Sequence, residues 1–411
     1  MKVIVWSINY APEVTGISPH NVALCEFLHR HSHDVEMLTT FAYYPAWRKR
    51  EEDKNQLYRT DLINGVPVHR CWHYVPERVS AWKRIIHEGT FILTSTLRGL
   101  FLRTPDVFVV VSPPLLLGMA AWCLTRLKRA PFVFHVQDLQ PDAAVGLGML
   151  RQGWFVRLLY GLERFAYENA TRVSGISDEI VDAFRRKGVP EEKLILFPNT
   201  VTLPDAAELP GLGDFRSKNG FAAGHFLAVY AGNLGVKQGL DILIEAAALL
   251  REYPHIRIVL CGDGAERVAL ENTVAKRGLT NISMVPLKLG RDYHELLADA
   301  DLSVITQQSG SGNSFFPSKL LVTLAHSSPV LTVADEESAL ARAVHKGGFG
   351  VNVLPGNARA VADSFIDLSS RRDQLSSWGA AGRDYVRQFE QGPVMEKFVG
   401  QLAVIAASAQ D

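Results

Sequence analysis

The chain has 411 residues, which suits two or three domains at roughly 150 residues each. With 47% hydrophobic and 21% charged residues it has the composition of a globular protein with a full core, which excludes a disordered or fibrous chain. Its 43 Lys+Arg balance 43 Asp+Glu, so no net charge favours nucleic acid; a modest basic excess lies in residues 1–200, with 24 basic against 20 acidic side chains.

Residues 2–8, KVIVWSI, form an apolar strand, and the expected start at Lys2 leaves no room for a signal peptide. Pro12 and Gly16 mark the loop that follows, Ser18 is a candidate N-cap, and Pro19 fits the first helical position. With the strand DVEMLTT this makes a strand–loop–helix–strand unit, the beginning of a parallel sheet. Gly16 either permits close approach of a ligand or simply makes a turn. Residues 41–57 read as a long loop that combines Tyr43, Tyr44 and Trp47 with Arg48, Lys49 and Arg50. Such a loop suits a sugar, a phosphate or a membrane surface, and equally a solvated connection with a few packed aromatics. A strand follows at 66–74. The helix at 81–103 carries Lys83, Arg84, Arg98 and Arg103 toward its ends, and can rest on lipid head groups or pack its apolar side onto the sheet.

Residues 107–125 are uncharged and long enough to suggest a membrane span, but Pro113-Pro114 divides them into a buried strand and a packed helix. The strand PFVFHVQ places His135, Gln137 and Asp138 near its C-terminal end, the ligand-binding end of open α/β sheets. A lone histidine there serves the core; with Asp138 and Asp142 it makes a polar cluster. The first domain closes at LILFPNT, ending at residue 200, and the Gly/Pro/Ala-rich stretch 201–224 reads as a linker.

The second domain, 225–385, repeats the pattern. The strand at 226–231 runs into Gly232, Gly235 and Gly239, then a helix, a unit that lets phosphate approach the backbone, with Lys237 inside the turn. After the strand DLSVITQ, a Gly/Ser-rich loop enters a helix near Pro317-Ser318 with Lys319 in its first turn, a position that favours a cation only when an anion is present. The last helix, 393–409, is expected to pack back on the first domain. Cys25, Cys71, Cys123 and Cys261 are scattered without ligand spacing and read as reduced core residues. Asp299-Ala300-Asp301 resembles a metal-binding DxD but falls at a helix-to-strand junction, where capping is its expected role, and no metal is predicted.

The order NYAPEVTGI, HVQDLQPDAAVGLG, FPNT, AGNLGVKQGLDILIEAA, CGDGAER and FPSKLL resembles the retaining glycosyltransferases of family 4, and within them the bacterial exopolysaccharide enzymes of the colanic acid type, described as fucosyltransferases. The resemblance implies an α/β GT-B fold, two doubly wound Rossmann-like domains facing a cleft, with no cofactor. It implies a GDP- or UDP-linked sugar donor, a polyprenyl-diphosphate-linked saccharide acceptor, and a cytoplasmic enzyme peripheral to the inner membrane face. Carried onto this sequence, Gly232, Asn233 and Lys237 line the diphosphate; Gly262, Asp263, Pro286 and Leu287 border base and ribose. Ser318, Lys319 and Leu320 meet the diphosphate from the other side, and Gly16 approaches it from the first domain. His135 and Asp138 face the transferred sugar and, with Lys237 and Lys319, make up the implied catalytic set. Tyr43, Tyr44, Trp47 and Arg48 fall on the acceptor side. The sequence departs from the family where Asn233 and Gln238 replace an Arg and a Lys, and where paired glutamates would fall on Ser314 and Val322. His135 stands two positions before the family's histidine. A nucleotide-sugar epimerase and a non-catalytic nucleotide-sugar-binding protein are the alternatives.

Overall fold

Apolar runs that end in glycine or polar turns become the parallel strands. In a computed structural model the described residues are 1–78, 80–146, 150, 153–204, 213–310 and 318–409. The chain divides into two units, Met1–Val145 with Leu150–Asn199 and Gln391–Asp411, and Gly146–Met149 with Thr200–Glu390.

The first unit runs β1 (Lys2–Trp6), α1 (Ser18–Arg30), β2 (Asp34–Thr40), β3 (Tyr58–Ile63), β4 (Val66–Cys71), α2 (Ala81–Phe101), β5 (Val107–Ser112), α3 (Leu117–Lys128), β6 (Phe132–Val136), α4 (Gln140–Gly146), α5 (Trp154–Asn169), β7 (Arg172–Gly175), α6 (Asp178–Arg186) and β8 (Leu194–Leu196). Its sheet order is β3-β4-β2-β1-β5-β6-β7-β8. Every pairing is parallel except β3 with β4. The first strand of that hairpin falls between the expected loop, 41–57, and the expected strand at 66–74, where the sequence reading placed no element. Asn64 and Gly65 both have positive φ, 49° and 83°, as a tight two-residue hairpin turn requires. Strands such as β5, buried at every position, need helices on both faces, as a parallel sheet does. The uncharged stretch 107–125 is β5 and most of α3, and no helix among the described residues is long and apolar enough to cross a membrane.

The second unit runs α7 (Asp214–Lys218), β9 (Phe226–Asn233), α8 (Asp241–Leu249), β10 (Ile256–Asp263), α9 (Arg267–Lys276), β11 (Ile282–Val285), α10 (Arg291–Asp299), β12 (Leu302–Thr306), α11 (Lys319–Ala325), β13 (Val330–Val333), α12 (Ala339–Gly347), β14 (Gly350–Val353), α13 (Ala358–Ser369) and α14 (Arg372–Val386). Its six strands lie in the order β11-β10-β9-β12-β13-β14, so the winding reverses between β9 and β12. On one face Leu243, Ile258 and Phe365 form the core; on the other, Leu324, Val330 and Phe349 do so.

Two boundaries differ from the sequence expectation. The second part of the stretch expected as linker is structured: Phe215 and Phe221 are buried in the second unit's core, and Arg216 pairs with Asp301 at 2.6 Å. Apolar and arginine anchors among the glycines hold this segment, while 205–212 lie outside the described residues. The last helix, α15 (Gln391–Ser408), starts ahead of Pro393 and belongs to the first unit. Met395, Phe398, Leu402 and Ile405 enter its core, where Phe398 stacks on Phe197 with centroids 3.8 Å apart.

Candidate functional site

In the second unit the glycine turn, the ends of β9 and β10, and the start of α11 meet at the β9/β12 reversal, where open α/β sheets bind ligands. Gly232 and Asn233 lie in register beside Gly262 and Asp263. Gly232 has φ +143°, and a Cβ placed on it would come 3.2 Å from Lys319 Nζ. The glycine therefore makes room for the lysine. Lys319 Nζ stands 3.9 Å from the centroid of the Tyr230 ring, closed off from solvent and without a hydrogen-bond partner among the described residues. Burial alone pushes its pKa down to about 7. The Tyr230 hydroxyl donates to Asn233 O at 2.6 Å, fixing the strand end over which the ammonium sits.

Beyond Asn233 the chain makes a single 3₁₀ turn, Val236–Gln238, closed by Gly239 at φ +60°. Gln308 N donates to Lys237 O at 2.8 Å, tying this turn to the segment after β12. Between them lies a cavity of about 430 Å³ lined by Gly235, Gly239, Gln307 and Ser309, with Asp241, Glu245 and Glu266 also on its wall. Among the described residues this wall carries three carboxylates and no Lys or Arg, which disfavours a diphosphate there; Lys319, beside Gly232, offers a cation outside it. Gln307 is 2% exposed, and neither its amide oxygen nor its nitrogen has a partner among the described residues. Tyr230 and Gln307 are site residues that the sequence reading missed; the polar pair Gln307-Gln308 ending an apolar strand was the available signal.

The other donor-side candidates divide by role. Gly262 packs: an added Cβ would fall 1.8 Å from Gly232 O, so the close pairing of β9 and β10 requires glycine there. Asp263 is exposed and accepts from Gly264 N at 2.8 Å. Pro286 is exposed and Leu287 half-buried just after β11. Asn233 is exposed, and Lys237 and Ser318 are half-buried. Leu320 is fully buried in the core, which leaves only its backbone for a ligand. Val322 lies half-buried in α11, and Ser314 lies outside the described residues.

In the first unit a buried carboxylate organises the loop after β1. Glu13 is 6% exposed; Tyr43 N and Tyr44 N each donate to its Oε1 at 2.8 Å, and Asn9 Nδ2 donates to Oε2 at 2.7 Å. Burial raises its pKa against these hydrogen bonds. Gly16, at φ +67°, would carry a Cβ 3.6 Å from the half-buried Tyr44 ring. Tyr43 departs from an acceptor-facing position: it is buried, its ring 5.0 Å from His73 and 4.6 Å from His87, with Trp47 at 5.4 Å. Arg48 is exposed beside Glu51 at 3.5 Å.

His135 is placed as a core residue, not as a group facing substrate. It is 3% exposed, its Nδ1 lies 2.7 Å from Ser174 Oγ and its Nε2 2.9 Å from Gln137 Nε2. Gln137 in turn exchanges two 3.0 Å hydrogen bonds with Asn199. Burial pushes the imidazole pKa down to about 3, so it stays neutral. Asp138 follows β6, half-buried. His20, on α1, was not singled out in the sequence; burial lowers its pKa to about 4.

The acidic pair around Ala300 is structural. Asp299 accepts from Gly213 N and Arg216 N, while Asp301 binds Arg216 and accepts from Leu227 N at 2.8 Å. Among the described residues no group of three His, Cys, Asp or Glu could hold a metal ion.

Two α/β units built on largely parallel sheets define a class that known proteins share. Residues 15–200 match the family described as glycosyl transferase 4-like domain, and residues 213–385 match glycosyl transferases group 1. The colanic acid biosynthesis glycosyl transferase WcaI of Escherichia coli is 32% identical across 98% of this chain and all of that protein. A GDP-mannose-dependent alpha-mannosyltransferase of Mycobacterium tuberculosis is 23% identical, covering 77% of this chain and 74% of that one. Among solved structures, sucrose-phosphate synthase from Thermosynechococcus elongatus superposes with a TM-score of 0.78 at 17% identity, covering 99% of each chain. HepE of Anabaena, solved with UDP-glucose, gives 0.71 at 15% identity over 98% of this chain and all of that one. The chain belongs to the group 1 and 4-like glycosyltransferase family, has the GT-B fold, and is a glycosyltransferase homologous to WcaI.

Proposed function

We propose that this glycosyltransferase moves a sugar from a nucleoside-diphosphate sugar to a lipid-linked saccharide during exopolysaccharide synthesis, with retention at the anomeric carbon. GDP- and UDP-linked donors are the candidates, L-fucose is among the candidate sugars, and the acceptor is a polyprenyl-diphosphate-linked glycan at the cytoplasmic membrane face. The relatives' names support this reading, one a colanic acid enzyme, one GDP-mannose-dependent and one bound to UDP-glucose.

The observation that carries it is Lys319, a buried ammonium beside Gly232 with no hydrogen-bond partner among the described residues. A buried cation left unpaired is unfavourable unless an anion arrives. A donor diphosphate supplies that anion, and its negative charge grows as the bond from the anomeric carbon to the phosphate oxygen breaks. One well-placed donor to such a leaving group is worth about 2.7–4 kcal/mol. The departing phosphate oxygen takes the acceptor hydroxyl proton, so His135, held between Ser174 and Gln137, is not needed as a base. The lysine serves the leaving group in place of a metal ion.

A thermal-shift screen of the purified chain against GDP, UDP, ADP and their sugar conjugates tests the donor. A ligand that binds only the folded state raises Tm by mass action. The expected result is a shift with one nucleoside diphosphate that Lys319→Ala abolishes, and turnover that releases free nucleoside diphosphate with a glycosylated acceptor. No shift with any of them overturns the reading.

A further inference from the structure

A lysine side chain normally lays its stem along apolar surface and keeps the charged tip in water. Lys319 does the reverse. The residue as a whole is half-buried, yet its Nζ is the covered end and lies over the face of the Tyr230 ring. Tyr230 is fully buried, so the platform beneath the ammonium is fixed by the core. A ring face attracts a cation, and more strongly where water is excluded. It accepts no ordinary hydrogen bond, so the N–H donors of the ammonium stay unused among the described residues.

The order of residues along β9 builds this holding place. Alternation along a strand puts positions 230 and 232 on one face. The first supplies the ring. The second, lacking a Cβ, supplies the space: an added Cβ would lie 3.2 Å from Lys319 Nζ and 3.6 Å from its Cε. The Tyr230 hydroxyl donates to Asn233 O at 2.6 Å, where the glycine turn begins, so ring, lysine and turn are joined. Other polar atoms near the same sheet edge are unused as well. Gln238 Oε1, Thr306 Oγ1 and both amide atoms of Gln307 are buried without partners among the described residues. Buried polar groups left unpaired together point to a ligand that completes them. A carboxylate in place of the ring would pair with the ammonium and compete with an incoming diphosphate. The ring leaves only its own contact to be displaced.

We infer that Tyr230 is a positioning residue for glycosyl transfer: its ring holds the Lys319 ammonium at the end of β9, and the donor diphosphate draws the ammonium off the ring. The inference deepens the nucleoside-diphosphate donor reading and rests on it.

The test is nuclear magnetic resonance of the full chain carrying isotope-labelled lysine. In the free protein one lysine ε-methylene signal should stand upfield of the others, shielded by the ring beneath it, and Lys319→Met should remove it. GDP, UDP and ADP are then added, each alone at saturation. With the one that raises Tm, the signal should return to the ordinary lysine range. Tyr230→Phe keeps the ring and should keep the upfield signal. Tyr230→Leu should lose it and bind that nucleotide at least tenfold more weakly. A tyrosine that only filled the core would give Phe and Leu variants with the same lysine spectrum. Absence of an upfield signal in the parent, or its persistence in the Leu variant, overturns the inference. The parent spectra decide the matter even where Tyr230→Leu does not fold. A rise in Tm with a static lysine signal overturns the inference alone and leaves the donor reading standing. No rise in Tm with any of the three nucleotides overturns both.

Discussion

Lys319 carries the sharpest residue-scale consequences. Its folded pKa, about 7, is lower than that of an exposed lysine. The unfolded chain therefore binds more protons than the folded one between about pH 7 and the ordinary lysine range. Stability rises with pH across that window, and the burial penalty is felt in full below it. Lys319→Met should stabilise the free protein by about 1–3 kcal/mol at pH 6, with a smaller gain at pH 9, while abolishing the nucleotide-induced shift. Chemical denaturation at the two pH values checks it; a destabilised variant at pH 6 would contradict the unpaired ammonium. Donor binding at pH 8 should take up close to one proton and at pH 6 almost none, read by calorimetry in buffers of different ionisation heat. At His135 the opposite result is expected. His135→Asn should lose about 1–3 kcal/mol of stability through its broken pairing with Ser174, with kcat within a few-fold of the parent. A thousandfold drop in kcat with stability intact would return His135 to the chemistry.

At the scale of elements, side chains that look chemical in sequence are often fasteners. Asp301 joins the end of α10 to α7 through Arg216, and the two side chains are 12% and 14% exposed. Asp301→Ala should cost about 3–5 kcal/mol because the arginine loses its partner within a mostly buried setting. If the pair instead held a catalytic metal, chelators would abolish turnover of the parent enzyme; unchanged turnover in EDTA is expected. Glu13 fastens in the same manner, holding the backbone of Tyr43 and Tyr44, so the aromatic loop is placed by a carboxylate thirty residues earlier. The β3–β4 hairpin was missed in the sequence, although Asn64-Gly65 carried its turn signal. The apolar side of α2 was legible, but that it turns Trp82 and Leu93 to solvent was not, because periodicity gives a stripe and not its partner.

For the whole molecule, the first unit draws on both ends of the chain. α15 completes its core through Met395, Phe398, Leu402 and Ile405. Each large apolar side chain so buried contributes about 1.5–3 kcal/mol, and together they approach the roughly 5–15 kcal/mol that holds a typical domain. Removal of 391–411 should therefore leave the first unit unfolded or aggregated. Circular dichroism and size-exclusion chromatography of the truncated chain check this; a sharp native-like transition would contradict it.

The sequence by itself determined the parallel strands, the glycine turn at 232–239 and the candidacy of Lys319, because apolar runs and turn residues act locally. Its motif order was enough to recognise the family. Tertiary structure decided what those residues do. Gly232 accommodates an ammonium, Gly262 a neighbouring strand, and His135 a hydrogen-bonded core position. The outward face of α2 belongs with them. Each depends on which groups the fold brings within a few ångströms, and spacing along the chain does not encode that.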